Sequence, residues 1–125
     1  MKKIIIIPTY NEKKNIFKLI NRIYKLYKSN FDILVIDDNS PDGTIDEVIK
    51  LKNKYKFIKF LKRNKKLGIG SAHKVGLKLS FKKKYNYIIT MDSDGTHNPI
   101  HIKTMINKMK KYDLITTNRF KKKIP

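Results

Sequence analysis

The 125-residue chain contains no cysteine, which excludes both a disulfide framework and a thiolate zinc site and is compatible with a reducing compartment. Acidic residues are few: 10 Asp and Glu stand against 30 Lys and Arg, for a formal net charge of +20. Long apolar runs are also missing. Met1-Lys2-Lys3 opens like a signal peptide, but the run from Ile4 to Ile7 stops at Pro8, well short of a secretory core or a membrane span, so it reads as a buried first strand. No internal repeat or linker is visible, and a single domain over residues 1–125 is expected.

Arginine is the next scarcity. Only Arg22, Arg63 and Arg119 occur among the basic residues, and the lysines spread over every predicted polar face. A nucleic-acid surface would concentrate its cations in one stripe or interleave them with aromatics for base stacking. The pattern therefore reads as a solvated lysine coat without a specific nucleic-acid partner, though such a coat attracts anionic headgroups and phosphorylated substrates.

Strand-like runs fall at Lys3–Ile7, Phe31–Ile36, Phe57–Leu61, Tyr87–Met91 and Asp113–Thr117, with helical periodicity between them. Alternation of this kind predicts an α/β fold, a mostly parallel sheet flanked by helices. Ile16, Leu19, Ile20, Ile23, Tyr24 and Tyr27 recur at three and four residues, the stripe of an amphipathic helix. Thr44 followed by Glu47 reads as a capping box opening a second helix, after the turn Asn39-Ser40-Pro41-Asp42-Gly43. A third helix is expected over Ser71–Phe81 and a fourth from Ile102 through Met109.

The scarce acids are not scattered. Glu12, Asp37, Asp38, Asp42, Asp92 and Asp94 sit in three short segments, each just after a predicted strand. In an open parallel sheet ligands bind beyond the carboxyl ends of the strands, so these segments are expected to share a site, with Asp42 the one read as a turn residue. Asp92-Ser93-Asp94 ends the apolar run Tyr87–Met91, and an Asp-x-Asp there can hold a hard divalent cation against a diphosphate. A signalling receiver shares the doubly wound sheet, but its acidic pair follows the first strand, where this chain has Pro8-Thr9-Tyr10.

Five blocks, Pro8 to Glu12, Asp37 to Thr44, Leu67 to Ala72, Met91 to His97 and Asn118 to Phe120, resemble in order and spacing the family 2 glycosyltransferases of GT-A (Rossmann-like) fold, and within them the dolichol-phosphate mannosyltransferase branch. That resemblance implies an inverting transferase moving a hexose, mannose from GDP-mannose, to a lipid phosphate such as dolichyl phosphate. It implies that Pro8, Tyr10, Glu12, Ile36 and Asp38 contact the donor's nucleotide. Asp92 and Asp94 become the catalytic and metal-holding residues for Mg²⁺ or Mn²⁺, Ser93 lies beside the sugar-nucleotide, and Arg119 faces the diphosphate. His97 matches a family position of undecided role, whereas His73 and His101 read as structural or solvent-facing.

The same resemblance implies a cytoplasmic protein or one at the cytosolic face of a membrane, the endoplasmic reticulum in a eukaryote, held peripherally or by an anchoring partner. Because 125 residues are few for both donor and acceptor, the chain is expected to be the nucleotide-binding part, incomplete at the C-terminus and without the acceptor part. Two other readings stay open: a non-catalytic fragment that binds nucleotide sugar, and a family 2 transferase using a UDP-sugar and a saccharide acceptor. Asn39 and Ser93 replace the branch's usual Gly and Ala, and Thr96 stands where some relatives have Gln; the last change bears on metal affinity, since a hydroxyl stands where an amide carbonyl was available.

Overall fold

An isoleucine run buried on both faces belongs at the centre of a sheet, and the computed structural model, which describes residues 2–109, places it there. The elements are β1 (Lys3–Thr9), α1 (Lys13–Tyr27), β2 (Asp32–Asp37), α2 (Thr44–Lys54), β3 (Ile58–Lys62), α3 (Ile69–Lys82), β4 (Tyr87–Thr90) and α4 (Ile102–Lys108), the last preceded by a 3-10 turn, Pro99–His101. The four strands are parallel in the order β3-β2-β1-β4.

Alternation along β1 divides the core. Ile5 and Ile7, with Ile33 and Val35, pack beneath Ile16, Leu19, Ile20 and Ile23 of α1 and Val48 and Leu51 of α2. Ile4 and Ile6, with Leu34 and Ile36, face the other way onto Ala72, Val75 and Leu79 of α3. Each fully buried isoleucine contributes roughly 1.5–3 kcal/mol, so stability resides in this two-sided packing while the lysines stay outside. Gly76 lets α3 approach closely: a Cβ there would lie 2.7 Å from Ile6 Cγ2 and 3.1 Å from Ile36 Cδ1.

Several boundaries differ from the sequence reading, each for a local reason. β1 runs through Pro8 to Thr9 and does not stop at Ile7. The carbonyls of Ile6 and Pro8 face β4, where they accept from Met91 N–H and the Ser93 hydroxyl. The ladder between β1 and β4 stops at Thr90, just where Pro8 has no N–H to continue it.

The capping box at Thr44 does not form. Gly43, at φ +87°, is the cap, Thr44 is the first helical residue, and its hydroxyl donates to Asp42 and accepts from Glu12 N–H. α3 begins at Ile69, two residues earlier than expected, behind Gly68 at φ +95°. β2 and β3 are each displaced by one residue, and β4 lacks Met91. The expected strand Asp113–Thr117 and Arg119 lie outside the described residues.

Candidate functional site

Pairing of Thr9 with Asp37 brings the ends of β1 and β2 side by side, and the loops that follow are tied by their own polar groups. Asp37 is fully buried. Its Oδ1 accepts from the Thr9 hydroxyl at 2.7 Å and the Ser40 hydroxyl at 2.6 Å, and its Oδ2 from Ser40 N–H at 2.9 Å. Ser40 Oγ in turn accepts from Asn11 N–H at 2.8 Å.

Asp42 joins the same loops further out, accepting from Lys13 N–H at 3.1 Å and Thr44 N–H at 3.0 Å. Burial raises its pKa, but the bonds from Thr44 and Lys13 prevail and hold it below the usual carboxylate range. Both residues therefore tie loops together, Asp37 from inside and Asp42 from the surface. The expectation that all the gathered carboxylates share the site is corrected for Asp37, and Asp42 does more than shape its own turn.

Asp38 sits beside them with a different set of partners. Arg63, at the end of β3, grips it with Nε at 2.6 Å from Oδ1 and Nη2 at 3.0 Å from Oδ2. Oδ2 also accepts the amides of Leu67 and Gly68, at 2.9 and 3.0 Å. Arg63 further donates to Ser71 Oγ and Gly68 O. Burial pushes the Asp38 pKa up, yet the Arg63 bonds and the two amides outweigh it, so the carboxyl stays ionised below its ordinary value. One ion pair thus fixes the loop that leads into α3, and much of the acceptor capacity of Asp38 is committed to it.

The Asp-x-Asp segment leaves β4 next to Pro8, where Ser93 Oγ donates to Pro8 O at 3.2 Å. His97 Nδ1 accepts the Asp92 N–H at 3.0 Å, so the neutral ring carries its proton on Nε2, which stands 3.9 Å from Asp92 Oδ2. Asp94 accepts from the N–H and hydroxyl of Thr96 across Gly95, whose φ of +86° permits the turn. His97 is thereby a residue that orients the Asp92 backbone.

These three segments enclose a cleft of about 240 Å³. Pro8 on β1 and Tyr10 and Glu12 beyond it line one side, Ile36 on β2 and Asp38 beyond it the next, and Asp92, Ser93 and Asp94 after β4 the third. Arg119 lies outside the described residues. Thr9 and, on the α3 side, Lys66, Gly68, Ile69 and Ala72, none with a role expected from sequence, form the remaining wall. Leu67-Gly68-Ile69-Gly70 was the available signal, and Arg63 had none beyond its rarity. His101 is exposed on the 3-10 turn, and neither it nor His73 lines the cleft.

The side chains that line the cleft at the Asp92 end offer hard oxygens, and among the described residues no three acidic or histidine side chains gather into a closed metal cage. Such a set fits Mg²⁺ or Mn²⁺, which take one or two carboxylates and complete their shells with phosphate and water. Among the described residues, too, no helix is long and apolar enough to cross a membrane.

A parallel sheet with helices on both faces and a cleft at its carboxyl edge is the GT-A arrangement, and solved structures of that class superpose on it. The crystal structure of S. aureus TarS 1-349 in complex with UDP matches with a TM-score of 0.72 and 30% identity, covering 90% of this chain and 33% of that one. The Pyrobaculum calidifontis mannosyltransferase PcManGT, in complex with GDP-Man and Mn²⁺, shares the fold at a TM-score of 0.65 and 22% identity, over 74% of this chain and 27% of that one.

Residues 4–124 match the family model of glycosyl transferase family 2, and the chain belongs to that family. It is 31% identical over 119 residues to an undecaprenyl-phosphate mannosyltransferase of Micrococcus luteus, covering 95% of this chain and 49% of the relative. It is 37% identical over 111 residues to a dolichol-phosphate mannosyltransferase of Pyrococcus furiosus, covering 88% and 30%. The chain thus spans half or less of the length of these relatives.

Proposed function

We propose that the chain is the donor-binding part of an inverting glycosyltransferase that transfers mannose from GDP-mannose to a polyprenyl phosphate, dolichyl or undecaprenyl phosphate being the type. The observation that carries this reading is the convergence of eight anticipated residues, Pro8 through Asp94, on one cleft at the carboxyl end of the sheet. The names of the Micrococcus and Pyrococcus relatives support the lipid-phosphate acceptor, and the GDP-Man complex of the Pyrobaculum neighbour supports the donor.

In this reading Tyr10, which is 37% exposed, offers its ring to the nucleobase, and Ile36 supplies an apolar wall. Asp38 acts chiefly by holding the 63–68 loop against the nucleoside. Asp92 and Asp94 hold the divalent cation, and Arg119 faces the diphosphate. When bound, Mg²⁺ or Mn²⁺ neutralises charge on the departing diphosphate as a Lewis acid. His97 keeps the Asp92 backbone in place, and Ser93 braces the same segment against Pro8. A phosphate acceptor is already ionised near neutral pH, so its attack needs no general base from this part of the protein. Association with the cytosolic face of a membrane follows from the acceptor, with the lysine coat assisting through anionic headgroups.

A UDP-sugar is the second reading, favoured by the UDP complex of TarS at 30% identity. Calorimetry of GDP-mannose, UDP-glucose and UDP-GlcNAc with and without Mn²⁺ separates the two. Metal-dependent binding, tightest for GDP-mannose and abolished by Asp92→Asn with Asp94→Asn, is expected. Binding that ignores both metal and substitutions removes the proposal.

A further inference from the structure

The cleft has an electrostatic imbalance. Among the described residues four carboxylates line it, those of Glu12, Asp38, Asp92 and Asp94, against one cationic side chain, Lys66. Arg63 pairs with Asp38, and Glu12 and Asp92 remain in the lining beside the Asp94 segment. A nucleoside diphosphate is itself a polyanion, and a cation at Asp92 and Asp94 offsets that repulsion chiefly at its own end. Among the described residues Lys66 is the cation placed to act on the rest.

Its position is specific. The Lys66 ammonium lies 4.4 Å from the centroid of the Tyr10 ring, within cation–π range. The ion pairs among the described residues involve Lys59, Arg63 and His97, not Lys66. Its backbone belongs to the loop that Asp38 anchors through the Leu67 and Gly68 amides, so the stem is fixed at its root while the four-carbon chain can swing. A cation–π contact on a partly exposed ring is weak, whereas an ammonium–phosphate contact is charge-assisted and stronger.

Resting on the reading of this cleft as a nucleoside-diphosphate site, we propose that Lys66 is a diphosphate-contacting strap that the Tyr10 ring holds in waiting. As a nucleobase stacks on Tyr10, the ammonium leaves the ring and closes on the diphosphate. The base and the cation compete for one aromatic face, so occupation by the base delivers the charge to the phosphates. The exchange also discriminates: a diphosphate compensates for displacing the ammonium, and a bare nucleoside does not.

The test is calorimetric binding of GDP, inorganic pyrophosphate and guanosine, with Mn²⁺ present, to the full chain and to Lys66→Met, Lys66→Arg and Lys65→Met. Loss of a charge-assisted contact predicts about tenfold weaker GDP and pyrophosphate binding in Lys66→Met, with most of it restored in Lys66→Arg. Guanosine binding should be unchanged or tighter in Lys66→Met, because the ring is no longer occupied. Lys65→Met removes the same charge one residue away and should match wild type. Equal GDP affinity in wild type and Lys66→Met overturns the inference alone, as does an equal loss in Lys65→Met. A wild-type chain that binds neither GDP nor pyrophosphate overturns the inference together with the function on which it rests.

Discussion

Replacing Arg63 by Met leaves the Asp38 carboxylate without its guanidinium in a place where little water reaches it. The side chains of Arg63 and Asp38 are 9% and 5% exposed, so solvent cannot take over the charge. Breaking one partner of a buried pair costs about 3–5 kcal/mol. The Leu67 and Gly68 amides still bond Oδ2, which places the expected loss near the lower end, about 3 kcal/mol. Urea unfolding followed by far-ultraviolet circular dichroism measures it.

Acidity provides an internal check on that cause. The folded pKa of Asp38 lies below its unfolded value, so its contribution to stability is present above about pH 4 and is lost as pH falls through the folded pKa. Without Arg63, burial still pushes the carboxyl up against the two amides alone, so its folded pKa rises relative to wild type and protonation relieves the variant. The gap between wild type and Arg63→Met should therefore narrow as pH falls below about 4. Adding Asp38→Asn to Arg63→Met should recover part of the loss, because no uncompensated charge remains. A loss under about 1 kcal/mol, or a gap that widens in acid, would refute the assignment of this pair as the anchor of the loop.

Two further outcomes test the frame around the cleft. Gly76→Ala places a methyl 2.7 Å from Ile6 Cγ2; overpacking of about 1–3 kcal/mol, offset by about 1 from helix propensity, predicts a net loss near 1 kcal/mol on thermal unfolding. The methyl also approaches Ile36 Cδ1, so donor affinity should fall with stability. Asp42→Ala removes the acceptor shared by Lys13 and Thr44 and should cost about 0.5–2 kcal/mol by loss of a capping-type bond; Asp42→Asn, which keeps an acceptor, should cost less.

The sheet was legible because Ile4–Ile7, Ile33–Ile36 and Ile88–Ile89 are apolar in runs too short for buried helices, with polar loops at each end. α1 was equally plain, since Ile16, Leu19, Ile20 and Ile23 repeat at the helical period and are all buried. Element ends were not, because they depend on partners remote in sequence. Pro8 continues β1 through its pairing with Ile36 on the β2 side, and Thr44 bonds Glu12 and Asp42 in preference to its own helix.

At the site, Glu12 and the Asp92–Asp94 triplet were visible as carboxylates gathered at strand ends, and Pro8 and Tyr10 through the resemblance of their block to the family. Asp37 carried the same signature although it faces inward, since composition does not record which way a strand-end carboxylate points. Arg63 and Lys66 were hidden for the opposite reason. Each is one cation among 30 Lys and Arg, and only the tertiary contacts with Asp38 and Tyr10 distinguish them.

Loops far apart in sequence are proposed to enclose one metal-bridged diphosphate. Mn²⁺ is paramagnetic, so amide signals near it broaden in an ¹H–¹⁵N spectrum of the chain with GDP. Selective broadening at Asp92–Gly95, spreading to Tyr10 and Glu12 and sparing α2, is the predicted result, and it should require both metal and nucleotide. Broadening centred on Asp42, Asp46 and Glu47, or spread evenly over the exposed carboxylates, would contradict the account.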